Sequence, residues 1–336
     1  MRFARDVAFV EDQSDQGKHI DQARRHYLAL SELYDVAAED EAFELFQQQI
    51  TFLRKIKRVA YLAPLAQGNL DELLRNGESD GTDAVQKFAK QQLLSEEIRR
   101  MDAISEDDRH ELSRRAMAFV IETNASSQSR QVFNMLTTIL SYHFGDHAQA
   151  SELCFDLATQ LEKQTHDPDR MFVEQLRGVG RRYALPGNSI VIEGKTLDGA
   201  PFDLKAYRGK VLLIDFWSTH CAPCVAAFPE LKKYRDAYAP EFEVIAINMW
   251  DSHERIAEFV QERSIPWVNL HDPSPESRRT KSDANSLRYG VYSIPVSILV
   301  GRDGKVISIW AVGSKLDELL AKEFPNVVIP TAALEE

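Results

Sequence analysis

Proline divides this chain. Of its 13 prolines, only Pro64 and Pro168 precede residue 186, and all the others lie from Pro186 onward. Proline lacks an amide hydrogen and has a fixed φ, so it breaks helices and punctuates turns. The stretch before Pro186 is therefore open to long helices. The stretch after it must turn often, as mixed strands and helices do. At roughly 150 residues per domain, 336 residues make about two domains. The expectation is an all-α domain of helical hairpins over 1–184, an α/β domain over 185–325 and a tail over 326–336.

In the first part, apolar residues recur at helical spacing. Leu28, Leu30, Leu33 and Tyr34 form one stripe, and Phe43, Leu45, Phe46, Ile50 and Leu53 another. Further stripes run through Val85 to Leu93, Leu112 to Val120, Val132 to Ile139, Leu153 to Leu161 and Phe172 to Leu176. Thr82, Ser105 and the pair Asp167-Pro168 read as helix starts. The connectors Asn124–Ser127 and Phe144–Asp146 are short, which implies antiparallel neighbours, so Ser105 to Tyr183 reads as two helical hairpins. No repeat consensus supports a tetratricopeptide-like array. Gln67 to Gly81 reads as a loop, and roughly the first 15 residues, polar in character, as disordered.

In the second part, Ser189–Glu193 and Lys195–Phe202 read as a hairpin around an Asp198-Gly199 turn. Lys210–Trp217 is a continuous apolar run, the mark of a central strand buried on both faces. A helix to about Ala239 follows, then a strand over Phe242–Met249 and a helix over Glu254–Glu262. Val296–Val300 and Lys305–Trp310 form a strand pair, and Leu316–Phe324 a closing helix. The layers are those of an α/β fold.

Three cysteines are too few for a disulfide-stapled scaffold. Cys221 and Cys224 form a C-x-x-C between a buried strand and a helix, which is where redox dithiols sit. A first thiol at a helix start faces unpaired backbone N–H groups and the positive end of the helix dipole, which favours its thiolate. The bland readings are a metal-ligand pair or inert cysteines. A structural zinc wants four ligands, and no second C-x-x-C or H-x-x-x-H is near. Cys154, on the apolar face of Leu153, Leu157 and Leu161, reads as a buried small hydrophobe. His143 and His147 have metal-like spacing, but Gly145 interrupts the helix that would align them.

The segment from about Leu185 to Phe324 resembles the thioredoxin superfamily, and more narrowly its TlpA/ResA and AhpC/TSA-like thiol-disulfide oxidoreductases. The matching residues are Asp215-Phe216-Trp217, Cys221-Ala222-Pro223-Cys224, Pro229, Ser293-Ile294-Pro295 and the strands around Asp303-Gly304-Lys305. The resemblance implies an enzyme in which Cys221 attacks a disulfide, Cys224 resolves the mixed disulfide and Asp215, as a buried acid, takes the proton of Cys224. It implies a cis peptide before Pro295, an Ile294 backbone that pairs with a client strand, and a site walled by Trp217 and flanked by His220 and Pro223. Thioredoxin carries a lysine near its buried acid, and the matching position here reads as Ile247. The residue before Cys221 is His220 rather than tryptophan. Asp272–Leu287 is a longer polar loop than usual, and its Arg278–Lys281 cluster could grip an acidic partner.

The functional expectation is a thiol-disulfide oxidoreductase, acting as reductant of a partner protein, with no metal and no separate cofactor. The partner is a disulfide-bearing client or an electron-donor protein, and the helical domain supplies its docking surface or pairs two copies as a homo-oligomer. One alternative is a peroxiredoxin-like peroxidase, but the Pro-x-x-x-Thr-x-x-Cys pattern has Ile214 and Ser218 in place of its proline and threonine. Another is a helical scaffold carrying a redox-inactive module. The formal charge of −12 argues against nucleic acid, whose phosphates need a positive footprint. No run approaches the ~20 apolar residues of a membrane helix. Met1–Asp6 is followed by no apolar run, so it is not read as a signal peptide. That leaves a cytoplasmic protein or, as the bacterial resemblance favours, a cell-envelope or periplasmic one whose leader has been removed.

Overall fold

The structure, a computed structural model, describes residues 82–164, 169–271 and 283–327. The expected stripes before residue 82, the loop over Gln67–Gly81, the Asp167-Pro168 helix start and the Arg278–Lys281 cluster lie outside them. The N-terminal region is helical and the C-terminal region is an α/β domain with a mixed sheet. By its contacts the chain forms two compact units, 1–133 and 134–336. The compositional boundary at 184/185 and this contact boundary differ, because helices preceding residue 184 pack within the unit that holds the sheet.

The first unit contains α1 (Thr82–Arg99) and α2 (Glu106–Glu122), and α3 (Ser127–Tyr142) begins in it. The Ser105 side chain accepts a hydrogen bond from the Asp108 amide and caps α2. Such a cap is worth about 1 kcal/mol. The apolar stripe Leu112, Ala116, Phe119 and Val120 is buried, as its spacing requires.

The second unit adds the end of α3, α4 (His147–Gln164) and α5 (Arg170–Tyr183). Helix α5 starts at Arg170, two residues later than expected: Asp169 caps it by accepting from the Phe172 amide at 3.0 Å. Helices α4 and α5 pack together. Ser151 Oγ donates to the Gly180 carbonyl at 2.9 Å, and the Phe155 ring lies over Gly180, where a Cβ would come within 3.0 Å of it. Helix α3 is tied in by Tyr183, whose hydroxyl donates to Thr137 Oγ1, and by Trp310, whose Nε1 donates to Ser141 Oγ at 2.9 Å. Cys154 is fully buried in this packing.

The sheet comprises β1 (Lys195–Thr196), β2 (Val211–Trp217), β3 (Phe242–Asn248), β4 (Val268–His271), β5 (Val296–Val300) and β6 (Val306–Ser308), in the order β1-β4-β3-β2-β5-β6. Strand β2 runs parallel to β3 and antiparallel to β5. All seven of its residues are buried, as the apolar run requires. Around the sheet lie α6 (Ala222–Ala237), α7 (His253–Glu262), α8 (Ala284–Tyr289) and α9 (Ser314–Glu323). Val211, Leu213 and Trp217 of β2 form one core with Phe228, Phe259, Leu316 and Leu320. Each such buried side chain is worth about 1.5–3 kcal/mol.

The expected N-terminal hairpin is corrected. The Asp198-Gly199 turn forms, with Gly199 at φ 85°. Lys195 bridges Pro201 across it, but strand β1 pairs with β4, and 189–193 is not a strand. Its alternation is real, with Ile190 and Ile192 buried and Val191 exposed. Ser189 makes an isolated antiparallel bridge to Lys305, and the backbones of Val191 and Glu193 are held by side chains of α8. The Val191 amide donates to Tyr289 Oη at 2.9 Å, and the Glu193 amide to Asn285 Oδ1 at 2.9 Å. In return, Tyr289 Oη and Asn285 Nδ2 donate to the carbonyls of the same two residues.

Helix α5 meets α8 without intervening side chains. A Cβ on Gly178 would lie 2.6 Å from the Gly290 nitrogen. Arg181 Nε donates to the Arg288 carbonyl at 2.7 Å and an Arg182 guanidinium nitrogen to the Gly290 carbonyl at 3.1 Å. Residue 290 then leads directly into the loop that carries Ile294 and Pro295.

Candidate active site

The dithiol occupies the loop between β2 and α6. Cys221 and Cys224 are joined as a disulfide. Cys221 is the N-cap of α6, and its sulfur accepts from the Cys224 amide at 3.3 Å. The helix start therefore aims an amide hydrogen at the Cys221 sulfur. Cys221 retains 9% of its surface and Cys224 only 2%, so the first sulfur is the reachable one. Pro223 lies in the first turn, where a missing amide hydrogen costs nothing, and is exposed. Pro229 lies further along the same helix.

The Ile294–Pro295 peptide is cis, and so is Ala239–Pro240, which the sequence had not marked. Half-buried Ile294 packs against the core cluster that contains both cysteines, and Pro295 is exposed beside it.

Asp215 is buried in the middle of β2, with β3 on one side and β5 on the other. Its Oδ1 accepts from Ser297 Oγ of β5 at 2.7 Å. Burial pushes its carboxyl up to about 7, against which the Ser297 bond acts in the opposite sense. By strand alternation Asp215 shares the face of Leu213 and Trp217, the face that packs on α6. Register corrects one expectation. Ala246, not Ile247, lies opposite Asp215; Ile247 lies opposite Phe216 and so belongs to the other face.

Trp217 is placed differently from expectation. It has no exposed surface, and its ring packs on Phe228 and Phe259 at centroid distances of 5.1 and 5.5 Å. It backs the dithiol from the core and offers a client no surface.

His220 is the exposed shoulder of the site, and a polar network that sequence reasoning missed holds it. Asp251 Oδ1 lies 3.0 Å from His220 Nδ1. The same carboxylate accepts from the Thr219 amide at 2.7 Å, Thr219 Oγ1 at 2.8 Å and Asn248 Nδ2 at 2.8 Å. Asn248 Oδ1 accepts in turn from the Asp251 amide at 2.9 Å. Burial opposes the charge of Asp251, but the hydrogen bonds from Asn248, Thr219 and Ser218 outweigh it and hold the carboxyl below its ordinary range. A signal was available: β2 and β3 are parallel neighbours, and polar groups just past the carboxyl ends of such strands converge.

Residues 188–309 match the AhpC/TSA family. This C-terminal part of the chain is similar to thiol-disulfide oxidoreductases named ResA. Its relatives include the thiol-disulfide oxidoreductase ResA of Bacillus thuringiensis subsp. konkukian, 30% identical over 112 residues, which are 33% of this chain and 60% of that protein. ResA of Halalkalibacterium halodurans is 26% identical over 137 residues, 40% of this chain and 72% of that one. The chain thus spans less than two thirds of the first of these relatives. The thioredoxin domain of a thiol-disulfide oxidoreductase from Bacteroides vulgatus overlays 41% of this chain and 96% of its own, at 23% identity and a TM-score of 0.36.

Proposed function

We propose that this chain is a thiol-disulfide oxidoreductase that reduces a disulfide in a partner protein. The observation that carries this reading is the Cys221–Cys224 disulfide at the start of α6, with the Cys221 sulfur on a helix-terminal amide. In the reduced form, the Cys221 thiolate attacks the client disulfide and releases one client thiolate. Cys224, one helical turn on, passes its proton to Asp215 and attacks the Cys221–client bond. The Cys221–client S–S bond breaks, the second client sulfur leaves as a thiolate and the intramolecular disulfide forms. Two electrons pass from the dithiol to the client. An acid with an affinity near neutrality, as at Asp215, suits that proton transfer.

Client recognition follows from the same geometry. The Ile294 backbone beside the dithiol pairs with an extended client segment, with Pro295 and Pro223 exposed around it. The helices up to residue 184 form the addition that selects the client, while 185–325 is the exchange module. Support for this division of labour comes from α5, which grips the residues leading into the Ile294–Pro295 loop through Gly178, Arg181 and Arg182.

The test is capture. The Cys224→Ser variant, unable to resolve, should accumulate a covalent mixed disulfide with its client that releases on adding dithiothreitol. A Cys224→Ser protein that forms no such adduct with any disulfide-bearing protein would count against the reading.

A further inference from the structure

The Asp251 network is larger than an exposed loop needs. The Asp251 side chain is 2% exposed, whereas the His220 side chain that it holds is 82% exposed. Burying a carboxylate costs several kcal/mol unless its lone pairs are satisfied. Here four hydrogens converge on it, from the Thr219 amide and hydroxyl, Asn248 Nδ2 and His220 Nδ1. Ionised carboxylates only accept hydrogen bonds, so the hydrogen in the 3.0 Å contact belongs to His220 Nδ1. That leaves Nε2 as the nitrogen not engaged by the carboxylate. The ring is fixed at one end by a buried charge and open to solvent at the other. It belongs to the residue directly before the accessible cysteine.

We propose that Asp251 is a positioning residue that orients His220 as the general acid for thiol-disulfide exchange at Cys221. This deepens the oxidoreductase reading and rests on it. In the first step the Cys221 thiolate forms a bond to one client sulfur and the client S–S bond breaks. The departing client thiolate takes the proton from His220 Nε2, leaving a neutral imidazole that solvent reprotonates. No electron passes through the ring; both electrons still come from the dithiol. The arrangement repeats the logic of a carboxylate that orients an imidazole through Nδ1 so that Nε2 handles the proton.

Such an acid matters only where the leaving thiolate is a poor one, because thiols of low pKa depart readily as anions. The experiment uses the full chain, reduced, in single-turnover reactions with two small disulfides. One is 5,5′-dithiobis(2-nitrobenzoate), whose aryl thiolate leaves unaided. The other is bis(2-hydroxyethyl) disulfide, whose alkyl thiolate does not. His220→Gln, an exposed substitution, should slow the alkyl disulfide on the order of 10²-fold, the lower end of general-acid effects, and leave the aryl rate nearly unchanged. Asp251→Asn should lose rate on the alkyl disulfide alone, by less. The double variant should be no slower than His220→Gln, as expected when two residues act as one unit.

Equal losses on both disulfides would show a change in Cys221 itself and overturn the proposal. So would an unchanged alkyl rate in His220→Gln, or a loss confined to Asp251→Asn. A wild-type protein that reduces neither disulfide would overturn the oxidoreductase reading instead, so the two failures are distinguishable.

Discussion

Gly178 in α5 and Gly290 at the C-terminus of α8 meet backbone to backbone. A Cβ on the first would stand 2.6 Å from the nitrogen of the second, and Gly290 itself adopts φ 59°, where side chains are disfavoured. Both partners at this contact are main chain, so neither can swing aside. The contact fastens a helix of the region before residue 185 to the start of the Ile294–Pro295 loop.

Gly178→Ala should therefore destabilise the protein. Alanine gains up to about 1 kcal/mol in a helix interior relative to glycine, but forcing apart a packed backbone costs about 1–3 kcal/mol. Urea unfolding should show a net loss on the order of 1 kcal/mol. A more stable variant would mean that α5 and α8 are not in this contact.

The buried acid makes a signed prediction with pH. Asp215 is held near 7 in the folded protein, above its ordinary 3.8. Between those values the folded state binds more protons than the unfolded one, so the stability present below about 3.8 is lost as pH rises towards 7. At about 1.4 kcal/mol per pH unit the loss is a few kcal/mol. Asp215→Asn removes the titration, so its stability relative to wild type should climb across that window and level off above it. Unfolding measured at intervals from pH 4 to pH 8 checks this, and a flat difference would contradict the burial of a titrating carboxyl. In exchange assays, the same variant should resolve its mixed disulfide more slowly.

Cys154 should be silent. Burial pushes its thiol up to about 12, so almost none is thiolate at neutral pH, and reactivity follows the thiolate. Iodoacetamide applied to the reduced native protein should label Cys221 first and Cys154 only after unfolding. Labelling of Cys154 at a rate like that of Cys221, read by mass spectrometry, would count against the buried packing of α4.

What the sequence disclosed depended on how local each signal is. The run of β2 and the dithiol beside it were legible because seven successive buried positions followed by C-x-x-C leave few alternatives. The α2 cap at Ser105 was legible for the same reason. Strand β4 was missed because it has four residues, and Asn269 and His271 interrupt its apolar pattern. The false strand over 189–193 shows the converse. Period-two burial was read correctly, but its hydrogen-bond partners are Tyr289 and Asn285, about a hundred residues away. Asp251 escaped notice because nothing in its own neighbourhood marks it. Only the pairing of β2 with β3 brings it to His220.

In the proposed reaction Cys221 is the attacking sulfur. The most direct measurement is turnover of insulin disulfides by the reduced wild-type chain, Cys221→Ser and Cys224→Ser, followed by insulin precipitation under a thiol reductant. Wild type should turn over steadily, Cys221→Ser not above background, and Cys224→Ser should form at most a single covalent adduct per molecule. Full turnover retained by Cys221→Ser would contradict the proposed reaction.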